Sequence, residues 1–374
     1  MPHGALSSPF GIWFEPQAFS GSRMKGLTVS GIMKKMGLAS GPRHDSHAVE
    51  KDGAEAQLLR EGVRVNDRDG FYIHESWEPS GVTEQFLGNA DEYHQRYFDR
   101  LDYLGLVSYC LDVANIDKSS PLSILDIGSG GGSSVFALAK LLPSARIVAS
   151  DISPQLLEKL AAYVSTNPEL SSRIRSYCFD LHVPFFREAS FDLIFGAAIL
   201  HHLLDPLAAL RHVTASLRPG GKLILVEPME SGSLLLTSIY EEVLRIYRAR
   251  GDLEHPIARL MVAQRTDIHA RLGVPAKKPW THLLDDKWVF DRPYLADLAA
   301  QLGCRFAAVH PNQPDLTNLY EGCFRSLMIE GGLGGIEIDP EVLAAVRMFD
   351  GGISVNVKRQ LCSTGVIVFE RGEQ

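Results

Sequence analysis

The 374-residue sequence predicts an α/β fold, a doubly wound and mostly parallel sheet, on three observations. An apolar run, Leu122-Ser-Ile-Leu125, ends in the glycine-dense turn Asp126-Ile-Gly128-Ser-Gly130-Gly131-Gly132. That turn opens into a helix with Val135, Leu138, Ala139 and Leu142 on one face. Beyond it, short apolar strands alternate with helices that begin on a cap–proline pair, Ser153-Pro154 and Asp205-Pro206. Strands joined through amphipathic helices must cross over, which gives parallel pairing with helices on both faces.

Taken in order, residues 1–50 are rich in Gly, Ser and His and lack periodicity, and are expected to be a poorly structured extension. His44 and His47 read as polar loop, and no metal is expected. Residues 51–115 read as mixed helix and loop, a cap segment whose clearest helix carries Tyr97, Leu101, Leu104 and Val107. The core spans 116–230, with strands expected at 122–125, 146–151, 176–180, 190–195 and 222–227. One helix places Leu157, Leu160 and Val164 inward and ends at Asn167-Pro168; another turns Leu207, Leu210, Val213 and Leu217 inward. Arg218-Pro-Gly-Gly221 reads as the turn into strand five. Residues 231–290 exceed what a crossover needs and are expected to form a helical lid carrying Leu236, Ile239, Tyr240, Val243 and Tyr247. Residues 291–374 finish the sheet with strands at 304–310 and 365–370, around a second insertion at about 311–363.

The glycine turn narrows the ligand. A dinucleotide fingerprint asks for glycine or alanine where Ser133 stands, whereas Asp126 to Gly132 fits D-x-G-x-G-x-G. A carboxylate at Asp126 has the wrong sign for a pyrophosphate and the right one for an ammonium or sulfonium. Asp151 ends the next strand, where an acid can accept from both ribose hydroxyls. In this order of stations the chain resembles the class I S-adenosylmethionine-dependent methyltransferases, in particular their quinone-pathway and natural-product members.

That resemblance implies a seven-stranded sheet whose last strand runs antiparallel, and S-adenosylmethionine as cofactor. It places Gly128, Ser129, Gly130 and Gly132 along the donor, Asp151 and Ile152 at the ribose, and Asp180 and Leu181 at the adenine. It also puts Ala197 in the pocket wall, with Tyr93 and Tyr97 over the methionine end. The Asn/Asp-Pro-Pro-Tyr/Phe signature of amino-methylating relatives is absent after strand four, where Leu200-His201-His202 stands instead. His201 and His202 are candidates for a general base, against the plainer roles of packing and backbone capping. Glu227, at the end of strand five, is a candidate to bind an acceptor hydroxyl or to cap the next turn. Tyr240, Tyr247, Trp280, His282 and Trp288 are candidate acceptor-pocket residues.

The net charge of −8 and the lack of a basic block argue against a nucleic-acid partner. No run of eighteen apolar residues and no secretory leader is visible, and the five cysteines are scattered. A cytoplasmic enzyme with reduced thiols, acting on a small molecule without membrane contact, is expected, and a homodimer is compatible with this. The expected reaction is methyl transfer to oxygen or carbon of a polyketide, isoprenoid, quinone or sugar. The rival expectations are a protein or RNA methyltransferase, a non-catalytic donor-binding regulator and, against Ser133, a nicotinamide oxidoreductase.

Overall fold

The structure, a computed structural model, describes residues 58–75, 77 and 103–373. The expectations for residues 1–50, including His44 and His47, and for Tyr93 and Tyr97 lie outside the described residues.

Five strands form the parallel heart of the sheet: β3 (Ser123–Ile127), β4 (Arg146–Asp151), β5 (Ile174–Cys178), β6 (Phe191–Ala197) and β7 (Leu217–Pro228). Near the N-terminus stand β1 (Val65–Arg68) and β2 (Phe71–His74), and at the other end β8 (Cys304–Pro311) and β9 (Thr364–Arg371). The spatial order is β1-β2-β5-β4-β3-β6-β7-β9-β8. From β3 the chain winds outward through β4 and β5, then returns to build β6 and β7 on the other side. The carboxyl ends of β3 and β6 therefore flank the switch point, where open α/β sheets bind ligands.

Among the described residues the sheet has nine strands, against the seven expected. The extra pair is a hairpin, β1 antiparallel to β2, which then adds in parallel to β5. Its turn is Asp69-Gly70, with φ of 49° and 95°, the left-handed pair that a two-residue hairpin requires. The segment expected as helix and loop thus holds a strand pair as well. At the other edge β9 runs antiparallel between β7 and β8, as the resemblance implied.

The helices follow their caps. In α1 (Tyr103–Val113) Leu106, Val107, Cys110 and Leu111 are buried, and α2 (Ser133–Leu141) packs beside it. Ser153 caps α3 (Pro154–Ser165) through the Leu156 N–H, and Asp205 caps α5 (Pro206–Ala215) through the Ala208 N–H. Asn167 does more than end α3. Its side chain accepts from Glu169 and Leu170 and so starts a further short helix, α4 (Pro168–Arg173). The Arg218–Gly221 turn is absorbed into β7 as an irregularity, because the pairing with β6 skips from Leu217 to Lys222.

The two insertions are one structure. Helices α6 (Glu230–Ala249) and α7 (Pro256–Arg271) pack with α9 (Leu319–Glu330) and α10 (Pro340–Gly351), while α8 (Arg292–Gln301) is the crossover into β8. Leu236, Tyr240, Val243, Met261, Phe324 and Val346 share a hydrophobic core separate from the two that line the sheet. The short α11 (Val355–Gln360) is pinned by Lys358, whose buried ammonium meets Asp350 at 2.7 Å. No helix among the described residues is long and apolar enough to cross a membrane.

Candidate functional site

The glycine turn follows β3 with Gly128, Gly130 and Gly132 all in the left-handed region, at φ of 66°, 52° and 100°. Two of them have no room for a side chain. A Cβ on Gly128 would come within 2.8 Å of Ile199, and one on Gly132 within 2.6 Å of Leu160. Gly130 differs, since its Cβ direction meets nothing within 4 Å. The first two glycines serve packing; Gly130 borders open space that a ligand can use.

The Asp151 carboxylate spans this turn. Oδ2 accepts the Gly130 N–H at 2.8 Å and Oδ1 accepts the Ser153 N–H at 2.8 Å. Burial raises its pKa, against the lowering effect of those N–H groups. Each carboxylate oxygen has a second lone pair, so hydroxyls can be bound while the turn stays braced.

Asp126 is almost fully buried. One oxygen, Oδ2, accepts the Ser134 hydroxyl at 2.6 Å, and the other, Oδ1, has no hydrogen-bond partner. Burial pushes this carboxyl up to about 8, with Ser134 pulling down and Asp151 adding to the rise. The Ser129 hydroxyl next to it is also buried without a partner. Two orphaned polar atoms at one strand end are unusual and call for a ligand.

The remaining donor-side candidates line the carboxyl edge of β4, β5 and β6. The Ile152 carbonyl accepts the Trp77 indole N–H at 3.2 Å, a contact between residues 75 positions apart. Asp180 lies two residues beyond β5, and its Oδ1 accepts the backbone N–H of His182 at 2.9 Å and faces the ring Nδ1 at 2.7 Å. That carboxylate raises the His182 pKa above its ordinary value. Leu181 is buried in the core that also holds Phe179, Phe185 and Phe186. Ala197 is the last residue of β6, and Ala198 takes φ of 55° to turn the chain sharply.

That turn aims three N–H groups at Glu227, which has no exposed surface. Oε1 accepts from Ile199 at 3.0 Å and Leu200 at 2.6 Å, and Oε2 accepts from the His201 N–H at 3.3 Å. Oε2 also lies 2.6 Å from His201 Nδ1. Glu227 is therefore spent on the loop after β6, and not on the turn that follows its own strand. His201 is 1% exposed, between Glu227 on one side and Asp286 on the other. Burial opposes charge there, but the two carboxylates outweigh it and raise the imidazole to about 9. His202 stays half-buried with Nδ1 3.0 Å from the Asp285 carbonyl, and burial beside His201 lowers it to about 3.

Asp286 and its neighbours come from the end of the first insertion. The Lys287 N–H donates to the His201 carbonyl at 2.8 Å, and the Trp288 indole donates to the Leu203 carbonyl at 2.8 Å. Arg271, fully buried, faces Asp286 at 3.5 Å and Asp267 at 3.2 Å. Burial works to raise the Asp286 carboxyl, but Arg271, His201 and His202 together outweigh it and hold it below its ordinary range. Sequence reasoning missed Asp286 because its partners His201 and His202 are distant in the chain, and with it missed Arg271, which faces Asp286. Tyr240 and Tyr247, expected in an acceptor pocket, instead fill the core of the helical insertion, and Trp280 is exposed.

Residues 125–223 match the family model described as a methyltransferase domain. The chain is 33% identical over 127 residues to a ubiquinone biosynthesis O-methyltransferase of Xanthomonas oryzae pv. oryzae, covering 34% of this chain and 47% of that one. It is 31% identical over 115 residues to methyltransferase str2 of Strobilurus tenacellus, covering 30% and 38%. It is also 28% identical over 186 residues to an uncharacterized 37.1 kDa protein in transposon TN4556 of Streptomyces fradiae, covering 47% and 51%. The chain spans about half the length, or less, of these curated relatives. Strand order and glycine turn agree with the family match: residues 125–223 are a methyltransferase domain.

Proposed function

We propose that the chain transfers a methyl group from S-adenosylmethionine to an oxygen of a small organic acceptor. The observation that carries the reading is Asp126, a buried carboxyl with an orphaned oxygen at the end of β3, beside the open face of Gly130. A nucleoside that brings positive charge and no phosphate suits both. Asp126 and Ser129 would hold its cationic end, the backbone of 128–132 its length, Asp151 its ribose and Asp180 its adenine. When bound, the donor supplies an electrophilic methyl group on a sulfonium. The protein's own work is to align an acceptor behind that methyl and to exclude water.

Of the three acceptor-side candidates, only His202 keeps appreciable surface, so contact with the acceptor is assigned to it. His201 and Glu227 act from behind by holding the loop. Oxygen is preferred over carbon because one relative is named an O-methyltransferase. The missing amino-methylation signature and the acidic chain favour a small molecule over nucleic acid.

Saturating S-adenosylmethionine or S-adenosylhomocysteine is expected to raise the melting temperature, while NAD leaves it unchanged. At a hundred times its Kd a ligand adds about 2.7 kcal/mol, which differential scanning fluorimetry detects easily. A shift with NAD alone sinks the reading. Asp151→Ala is expected to weaken donor binding by about 10–150-fold in calorimetric titration, the worth of charge-assisted hydrogen bonds of about 1.5–3 kcal/mol. Unchanged affinity would remove Asp151 from the ribose site. Because Asp151 also braces Gly130, a modest loss of stability accompanies the substitution.

A further inference from the structure

The cluster where the loop after β6 meets segment 285–288 holds more than a loop anchor needs. Three donor atoms converge there: His201 Nε2, His202 Nδ1 and Asp286 Oδ1. The Asp286 oxygen lies 3.5 Å from His201 Nε2 and 3.4 Å from His202 Nδ1. The three residues' ligand atoms all lie within 4.8 Å of one another. Two ligands at about 2.0–2.2 Å from a tetrahedral ion stand about 3.3–3.6 Å apart, so both edges suit a single ion.

The partners around the cluster agree. His201 Nε2 is buried and makes no hydrogen bond, although the ring is 1% exposed. On its far side Nδ1 is held by Glu227 at 2.6 Å, the carboxylate–imidazole pairing that orients histidines bound to metals. Asp286 Oδ2 is likewise buried without a hydrogen bond. Arg271 faces that second oxygen, and the Lys287 ammonium is taken up by the Leu284 and Asp285 carbonyls. His202 Nδ1 also lies 3.0 Å from the Asp285 carbonyl, so a cation held by His201, His202 and the first Asp286 oxygen takes the place of the proton in that contact.

We propose that His201, His202 and Asp286 bind a divalent cation of the zinc class, with Glu227 as the positioning residue for His201. Two imidazoles and one carboxylate suit zinc, and three protein ligands leave a fourth position for a further oxygen. The cation joins the loop after β6 to the end of the first insertion, parts of the chain about 85 residues apart. This goes beyond the methyl-transfer reading but shares His202 with it: the cation takes Nδ1, and the other ring nitrogen is left to face an acceptor.

The test uses the full chain, stripped with chelator, dialysed and titrated with Zn²⁺ by calorimetry, with Co²⁺ absorption as a second readout. About one equivalent per chain is expected, with visible d–d bands from a low-symmetry nitrogen-ligated Co²⁺. His202→Gln and Asp286→Asn each weaken binding about tenfold or more, and Glu227→Gln weakens it by about 10–100-fold. The pair His44→Gln and His47→Gln leaves it unchanged, which separates this site from the N-terminal histidines. His202→Gln, at a half-buried position, keeps the test readable if Asp286→Asn does not fold. Absent Co²⁺ bands, or unchanged binding in both His202→Gln and Asp286→Asn, overturn the site. The donor-induced melting shift is recorded on the same samples, so failure of the cation site and failure of the donor reading are told apart.

Discussion

Glu227→Ala is expected to lower the unfolding free energy by about 3–5 kcal/mol, the range seen when a buried charged partner is removed. The substitution orphans the N–H groups of Ile199, Leu200 and His201 together with the His201 ring. A buried donor left unsatisfied costs about 1–3 kcal/mol, so even partial relaxation leaves a large loss. Urea unfolding should show a lower midpoint at unchanged slope. Glu227→Gln keeps one acceptor oxygen and should recover part of the loss. The effect also reaches the donor side, because Ile199 packs where a Gly128 side chain would otherwise sit. If Glu227→Ala costs less than about 1 kcal/mol, the loop is held by something other than this carboxylate.

Asp126→Asn is expected to stabilise the donor-free protein and to weaken donor binding. Burial raises the folded carboxyl from 3.8 to about 8. The folded state therefore keeps a proton that the unfolded chain releases. Stability from this group is present below the unfolded value and is lost as pH rises toward about 8. Asparagine cannot ionise, yet still accepts the Ser134 hydroxyl. Thermal melts should separate the two proteins increasingly between pH 5 and pH 8, with the variant higher, by several degrees at the upper end on the order of a few degrees per kcal/mol. Calorimetry should show donor affinity reduced about tenfold or more, because a desolvated charge–charge contact is lost. A variant that melts lower and binds the donor as before would make Asp126 a structural residue only. The pairing of the two effects matters, since an ordinary core substitution destabilises without touching the ligand.

The geometry that supports the proposed donor side was legible because its parts are local. Asp126 through Gly132 is one contiguous turn, and only glycine takes those backbone angles with Ile199 and Leu160 pressed against it. Asp151 was legible for a related reason: a strand end places its last side chain at the sheet's carboxyl edge. The missed hairpin was written locally only in part: Asp69-Gly70 marks the turn and Phe71-Tyr-Ile73 a strand, but Val65-Asn-Asp-Arg68 is poor in strand formers. The helical reading of its neighbours masked it.

The acceptor side was legible only as a location. His201, His202 and Glu227 all sit at the carboxyl ends of β6 and β7, as the strand order required. The roles proposed for them rest on burial, which no spacing shows. Glu227 proved dry and fully engaged, whereas His202 kept its surface. Lid aromatics such as Tyr240 turned inward because α6 meets α7, α9 and α10 from a distant insertion.

The succession of strands and helices along the chain, the glycine cradle and the acids at the strand ends were readable in the amino-acid sequence alone. Each depends on backbone geometry and capping within a few residues. That the two insertions share one core, and that Asp286, backed by Arg271, closes on His201, emerged from the folded chain. Those contacts join residues up to a hundred positions apart, where pairing follows from packing and from the cost of burying charge, not from local pattern.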